Sequence, residues 1–231
     1  MLNWLINSEN GLLARIAAGV VIFAFLGIVD YRRNGPNARR WREYLFLLIC
    51  VVAALAYGLI NDQITVGISW EYFYYGKGLE SILGPAAPPA AIALRWEAAK
   101  VGMQAVWSAG LILGVILLLA NNPGKRSAPL RFGRLYRLLP LMLACPAILA
   151  SLFGVIGYWG GLVWLNAEFP LLLKDNLWRP YRFMAVYGIH LGGYIGGLLG
   201  VFTAVGLIIR QRRSVPNTSR SGYPPASQTG F

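Results

Sequence analysis

Apolar runs alternate with short polar blocks along the 231 residues, and five of the runs approach the ~20 residues that a helix needs to cross hydrocarbon. They fall at 11–29, 43–60, 98–120, 138–160 and 183–209. The pattern predicts an all-α integral membrane bundle of five transmembrane helices, a single domain over 1–209. Its outer connections are 61–97 and 161–182, and a tail over 210–231, rich in Ser, Pro and Gly, is expected to be disordered. The start, "MLNWLINSENG", has no basic n-region and no small-residue cleavage pattern comes after it, so the first run is expected to stay as a helix. Arg15 lies near enough to its end to snorkel.

Charge sets an expected orientation. Arg32, Arg33, Arg39, Arg40 and Arg42 crowd one connection, Lys125, Arg126, Arg131, Arg134 and Arg137 another, and "RQRR" opens the tail. Asp62, Glu71, Glu80, Glu97, Glu168 and Asp175 fall in the alternate connections. The positive-inside rule then puts the amino terminus outside and the carboxyl terminus in the cytoplasm, in a bacterial inner (cytoplasmic) membrane. Composition agrees: 57% of residues are hydrophobic and 13% charged, against about 25% charged in soluble domains. The net charge of +12 sits in blocks beside apolar runs, with no basic face interleaved with stacking aromatics. The partners expected are therefore the lipid bilayer and other membrane subunits or further copies of the chain, not nucleic acid.

The larger outer connection opens with "NDQITVGISWEYFYYGKG" and divides in three. Alternating β-branched residues in "ITVGIS" predict an extended exit from the membrane. Ser69 suits an N-cap, with Glu71 in the first turn where the helix dipole favours negative charge. The helix so begun, "WEYFYYGKGLESIL", is aromatic over much of its surface and is expected to lie flat at headgroup level. After "GPAAPP" a helix from Pro89 to Ala120 would extend about 45 Å and project beyond the bilayer. In the other outer connection Trp159, Trp164, Trp178 and Tyr181 are expected to anchor at the interface.

His190 is the only histidine and lies within the fifth run, where an ionisable group is a functional candidate by default. Tyr187 and Tyr194 share its helical face and are in reach to hydrogen-bond it. A neutral histidine paired with a tyrosine or a backbone carbonyl is the expected reading, and no cofactor is expected. A proton relay and axial ligation of haem or a pigment are the alternatives, the chain offering no second histidine as a haem ligand. Gly188, Gly192, Gly196 and Gly200 form a small-residue strip nearly opposite His190, and Gly110 and Gly114 repeat the theme in the third run. Such strips admit another helix closely. Pro146 removes a backbone donor within the fourth run, where a kink is expected. Asp62 with Glu97, or Glu168 with Asp175, are the conceivable acidic pairs, but these residues are expected instead to solvate the surface or to pair with Arg95, Lys100, Lys174, Arg179 and Arg182. Cys50 and Cys145 lie in separate apolar runs and read as small hydrophobes, and no Cys/His spacing implies a metal site. No hydrolase, nucleotide-binding or metalloprotease motif occurs.

Through "YGLINDQITVGISWEYF", "QAVWSAGLILGV" and "IHLGGYIGG", the chain resembles a group of uncharacterised bacterial multi-pass membrane proteins. The shared pattern is a DQIT…IS-x-EYF segment after one span and a His-plus-Tyr–Gly segment in the last. The group has no known activity. The resemblance directs attention to Asp62, Gln63, Glu71, Tyr72, His190 and Tyr194 and implies no catalytic role for them. The leading expectation is a non-enzymatic subunit, assembly factor or scaffold of a membrane complex. A small-solute transporter or proton pathway using His190, Tyr194 and Asp62 is the first alternative, and a lipid-acting enzyme of the outer face the second.

Overall fold

A computed structural model describes residues 9–35, 38, 40–122, 128–174 and 177–214. In chain order the helices are α1 (Glu9–Asn34), α2 (Arg40–Ile68), α3 (Glu80–Leu83), α4 (Ala91–Ala120), α5 (Phe132–Tyr136), α6 (Leu139–Tyr158), α7 (Phe169–Lys174) and α8 (Pro180–Arg213). A π-helical turn spans Tyr72–Gly76, and no strand occurs among the described residues. Five helical segments, within α1, α2, α4, α5–α6 and α8, are long and apolar enough to cross a membrane. With 29, 30 and 34 residues, α2, α4 and α8 extend roughly 45–50 Å, well past a hydrocarbon core of about 30 Å. Their polar ends therefore have room to build structure beyond it.

The long helices pair by backbone approach. In the antiparallel α6–α8 pair, a Cβ on Gly188 would collide with the carbonyl of Phe153, and one on Gly192 with that of Leu149. At Gly196 it would lie 2.5 Å from the Cα of Pro146, and at Gly157 it would collide with the Met184 carbonyl. The helix that this strip admits closely is thus the chain's own α6. Pro146 sits inside α6 and packs against that strip. The α2–α4 pair uses the same device: a Cβ on Gly110 would lie 2.7 Å from the Cβ of Ala54, and one on Gly114 3.0 Å from Leu47. Van der Waals contact between close backbones is the available attraction where both faces are apolar and the solvent is lipid.

Each end of the bundle is closed by a cluster. At one end Phe46, Leu117, Leu135, Ala204 and Ile208 pack together. There Asn121 exchanges two hydrogen bonds with Leu130, and the Arg212 Nη1 donates to the Ala120 carbonyl at 2.6 Å. The basic connections and the end of α8 share this side. At the opposite end, Tyr72, Phe73, Leu79, Leu94, Leu162, Phe169 and Phe183 join the two long connections in one core. Helix α1 lies against α2, with Phe23 stacked on Tyr44 at 5.5 Å. Arg15, expected to snorkel, sits 5.4 Å over the ring of Trp107. Asp30 is buried and accepts from Asn34 Nδ2 and the Arg40 amide, which shapes the turn between α1 and α2.

Three local expectations are corrected. "ITVGIS" is not extended: α2 runs helically to Ile68, with the Thr65 hydroxyl donating back to the Asn61 carbonyl at 2.9 Å and Thr65 and Val66 buried. Burial on the helical face outweighs the β-branched preference. The aromatic segment after it does not lie flat. It breaks into the π-turn and α3, and Tyr72, Phe73 and Tyr74 turn inward and are buried, whereas Trp159, Trp164, Trp178 and Tyr181 of the other outer connection are exposed. Finally, residues 210–213, assigned to the tail, continue α8; positions 215–231 lie outside the described residues, as does Asp175.

Candidate functional site

The site begins with spacing on α2. Tyr57, Gly58, Asn61 and Asp62 share one face of the helix. Gly58 meets Gly102 of α4 so closely that a Cβ on either would lie 2.5 Å from the other's carbonyl oxygen. A Cβ on Gly102 would also lie 2.8 Å from Asp62 Oδ2, so two missing side chains make space for this carboxylate. Asp62 is buried, and Asn61 Nδ2 donates to its Oδ1 at 3.1 Å.

Across from it, α8 presents His190. Its Nε2 lies 3.8 Å from Asp62 Oδ1, with the two side chains 10% and 4% exposed. That separation is beyond hydrogen-bond length. Nε2 is buried and has no hydrogen-bond partner among the described residues. An orphaned polar atom of this kind costs about 1–3 kcal/mol, so its retention calls for an explanation other than packing.

The aromatic connection after α2 holds the histidine in place. Ser69 Oγ accepts from the Tyr72 amide at 3.3 Å, as an N-cap would. The wide π-turn then brings Tyr72 flat against the imidazole, 5.0 Å between centroids at 11°, and Phe73 edge-on at 6.0 Å. Gly76 lets this turn close, because a Cβ there would be 3.0 Å from the Phe183 ring. Burial, with the Asp62 charge nearby, pushes the Tyr72 phenol up from its ordinary range, so the ring stacked on His190 stays neutral.

Glu71 fixes the turn from outside. It is buried and accepts from the amides of Trp178 at 2.5 Å and Arg179 at 3.2 Å. Those amides precede Pro180, so the carboxylate sits at the start of α8 and places negative charge where that helix's dipole favours it. The expected helix-terminal role is met at a different helix, the one that carries His190. Gln63 and Arg95 add a second link, Gln63 Nε2 donating to the Arg95 carbonyl at 2.8 Å and Arg95 Nη1 to the Gln63 carbonyl at 3.3 Å.

Below this polar layer lies a cavity of about 360 Å³ between the two helix pairs. Asp62, His190, Asn61, Tyr57, Tyr194 and Lys77 line its polar part, and Ala54, Val106, Leu113, Leu143, Gly197 and Leu198 its apolar length. Along α2 from Asp62 to Ala54 it runs about 12 Å, and along α4 from Gly102 to Leu113 about 16 Å. The volume falls in the range of small-molecule sites. Lys77 is exposed, and its Nζ lies 5.5 Å over the Tyr72 ring.

Of the residues picked out by sequence, the structure gathers Asp62, His190, Tyr72 and Tyr194 here and sets Glu71 and Gln63 behind them. Tyr187 is placed elsewhere: its hydroxyl donates to the Leu165 carbonyl at 3.1 Å, so it is not the histidine's partner. Asp62 and Glu97 are not brought together: Glu97 accepts from Lys100 at 2.6 Å, an ion pair of the kind expected for the outer acids, while Asp62 faces His190. Asn61, Tyr57 and Lys77 were not anticipated. The helical stripe Ala54, Tyr57, Gly58, Asn61, Asp62 carried the signal for the first two. Lys77 had none, because the fold of the π-turn alone brings it to the cavity.

No protein-family model, curated protein or solved structure matches the chain.

Proposed function

We propose that the protein is a membrane-embedded binding protein that takes a small single-chain amphiphile from the bilayer into the cavity between its helix pairs. The single observation that carries this reading is the buried, unpartnered His190 Nε2, facing Asp62 across 3.8 Å at the polar part of a long apolar cavity. A polar head has something to bond there, and a chain has an apolar channel behind it.

The subunit or scaffold reading drew on the glycine-lined helices, the aromatic outer loops and the lack of a soluble domain or catalytic motif. The glycine strips are already occupied within the chain, and the cavity is what favours a bound ligand. A proton pathway requires polar groups through the thickness of the membrane. Here the polar layer is confined to one part of the cavity and the rest is apolar. The setting we propose is the cytoplasmic membrane of a bacterium, amino terminus outside, on the strength of the arginine-rich connections. The amphiphile site then opens toward the outer leaflet.

Photolabelling in membranes tests the reading. A diazirine-bearing dodecyl methyl ether should label peptides covering Ala54–Asp62, Val101–Leu113 and Ile189–Leu198. Gly197→Leu should abolish that labelling, since Gly197 lines the cavity and a Cβ there meets nothing within 4 Å. Label confined to outward-facing residues such as Val21 and Phe25 would refute it.

A further inference from the structure

Resting on that reading, we infer that the amphiphile is an uncharged single-chain alcohol, its hydroxyl seated between His190 Nε2 and Asp62 Oδ1. The gap between those atoms is 3.8 Å, too long for a direct bond. One oxygen about 2.8–3.0 Å from each spans it and makes two hydrogen bonds at once. Nothing larger than a single polar atom is needed there.

The choice of an alcohol follows from donor and acceptor counting. If His190 carries its proton on Nε2 and Asp62 is ionised, the hydroxyl accepts from the imidazole and donates to the carboxylate. If Nε2 is bare and Asp62 protonated, the same hydroxyl donates to the nitrogen and accepts from the acid. It therefore satisfies either arrangement. In both of these arrangements, in which the pair holds one proton, a ketone or quinone oxygen only accepts and would leave Asp62 or Nε2 facing a lone pair. A carboxylate or phosphate head would face the Asp62 carboxylate. An ammonium head would meet Lys77 at the same part of the cavity, and with the proton on Nε2 it would leave that N–H unanswered. Asp62 and Lys77 are opposite in sign, so the site does not select net charge in the ligand.

The apolar length then takes the chain. It runs between α2–α4 and α8 past Ala54, Leu113 and Leu198, and a volume of about 360 Å³ suits one chain rather than two. Gly193 sets the wall near the head, where a Cβ would lie 3.3 Å from the Tyr57 hydroxyl.

Competition against the ether photolabel distinguishes the heads, using the full chain in membranes. Dodecanol, dodecylamine, dodecanoate and methyl decyl ketone share a chain and differ in head; farnesol keeps the hydroxyl on a branched isoprenoid chain. One of the alcohols should compete roughly tenfold better than the other three heads, the value of one well-made hydrogen bond to a charged or buried partner. His190→Phe keeps the ring stacked on Tyr72 and removes Nε2. It should erase the preference while the ether still labels the cavity. Equal competition by all heads, or a lead by the amine, the acid or the ketone, overturns the inference and leaves the cavity reading intact. Cavity labelling that is absent, or that persists in Gly197→Leu, overturns the reading beneath it.

Discussion

Glu71 and His190 illustrate how differently two buried polar side chains of this fold are treated. Glu71 accepts from two backbone amides more than a hundred positions away and locks the aromatic connection to the start of α8. Glu71→Ala strands both amides and should cost about 1–3 kcal/mol, read as a lowered unfolding midpoint, with Glu71→Gln recovering part of the loss. An unchanged midpoint in the alanine variant would show that the link is idle. His190, by contrast, leaves Nε2 without a partner among the described residues. A packing histidine should lose stability when replaced, but a ligand-facing one should not. His190→Phe is expected to unfold at the same temperature as the parent or higher when no amphiphile is supplied, in keeping with sites that sacrifice stability for function. A fall of more than about 1 kcal/mol, the scale of one lost hydrogen bond, would mark the nitrogen as structural. The sequence brought Asp62, His190 and Tyr194 into one candidate group: His190 and Tyr194 stand out inside an apolar run, and Asp62, placed in the outer connection, joined them through the resemblance. It misassigned Tyr187, since helical spacing tells which residues share a face and not which neighbour fills it; Leu165, from another connection, took that hydroxyl.

At the scale of elements, α8 serves two neighbours with two faces, and its glycines separate accordingly. Gly192 touches the backbone of α6, whereas Gly197 looks into the cavity with nothing within 4 Å. Gly192→Leu forces a side chain against a carbonyl that has no rotamer to change, and should cost at least the ~1–3 kcal/mol typical of overpacking. Gly197→Leu, five positions along the same helix, should leave the unfolding midpoint unchanged or raised. Equal losses in the two variants would contradict the assignment of faces. The long helices were legible because hydropathy over some twenty residues is a strong signal. The connection over 69–84 was not. Its aromatic composition fits a surface helix as well as a buried turn, and the choice was made by tertiary partners such as Phe183 and the α8 amides. The cavity was legible only in part: the stripe Ala54, Tyr57, Gly58, Asn61, Asp62 on α2 is visible, but its complement on α4 and α8 needs the packing of both pairs.

For the whole molecule, orientation and occupancy are the two proposals that an experiment can test directly. Exposed Ser81 and Ser214 lie at opposite ends, whereas Cys50 is buried and Cys145 is half-buried within α6. In intact cells an impermeant maleimide should label Ser81→Cys and spare Ser214→Cys; the reverse pattern would invert the proposed topology. Occupancy bears on function most directly. The measurement is native mass spectrometry of the protein released gently from its own membranes, with the Gly197→Leu variant alongside. The parent should carry one small single-chain species in stoichiometric amount, absent from the variant. Identical spectra for the two proteins, whether bare or decorated with the same bulk lipids, would contradict a ligand-holding cavity.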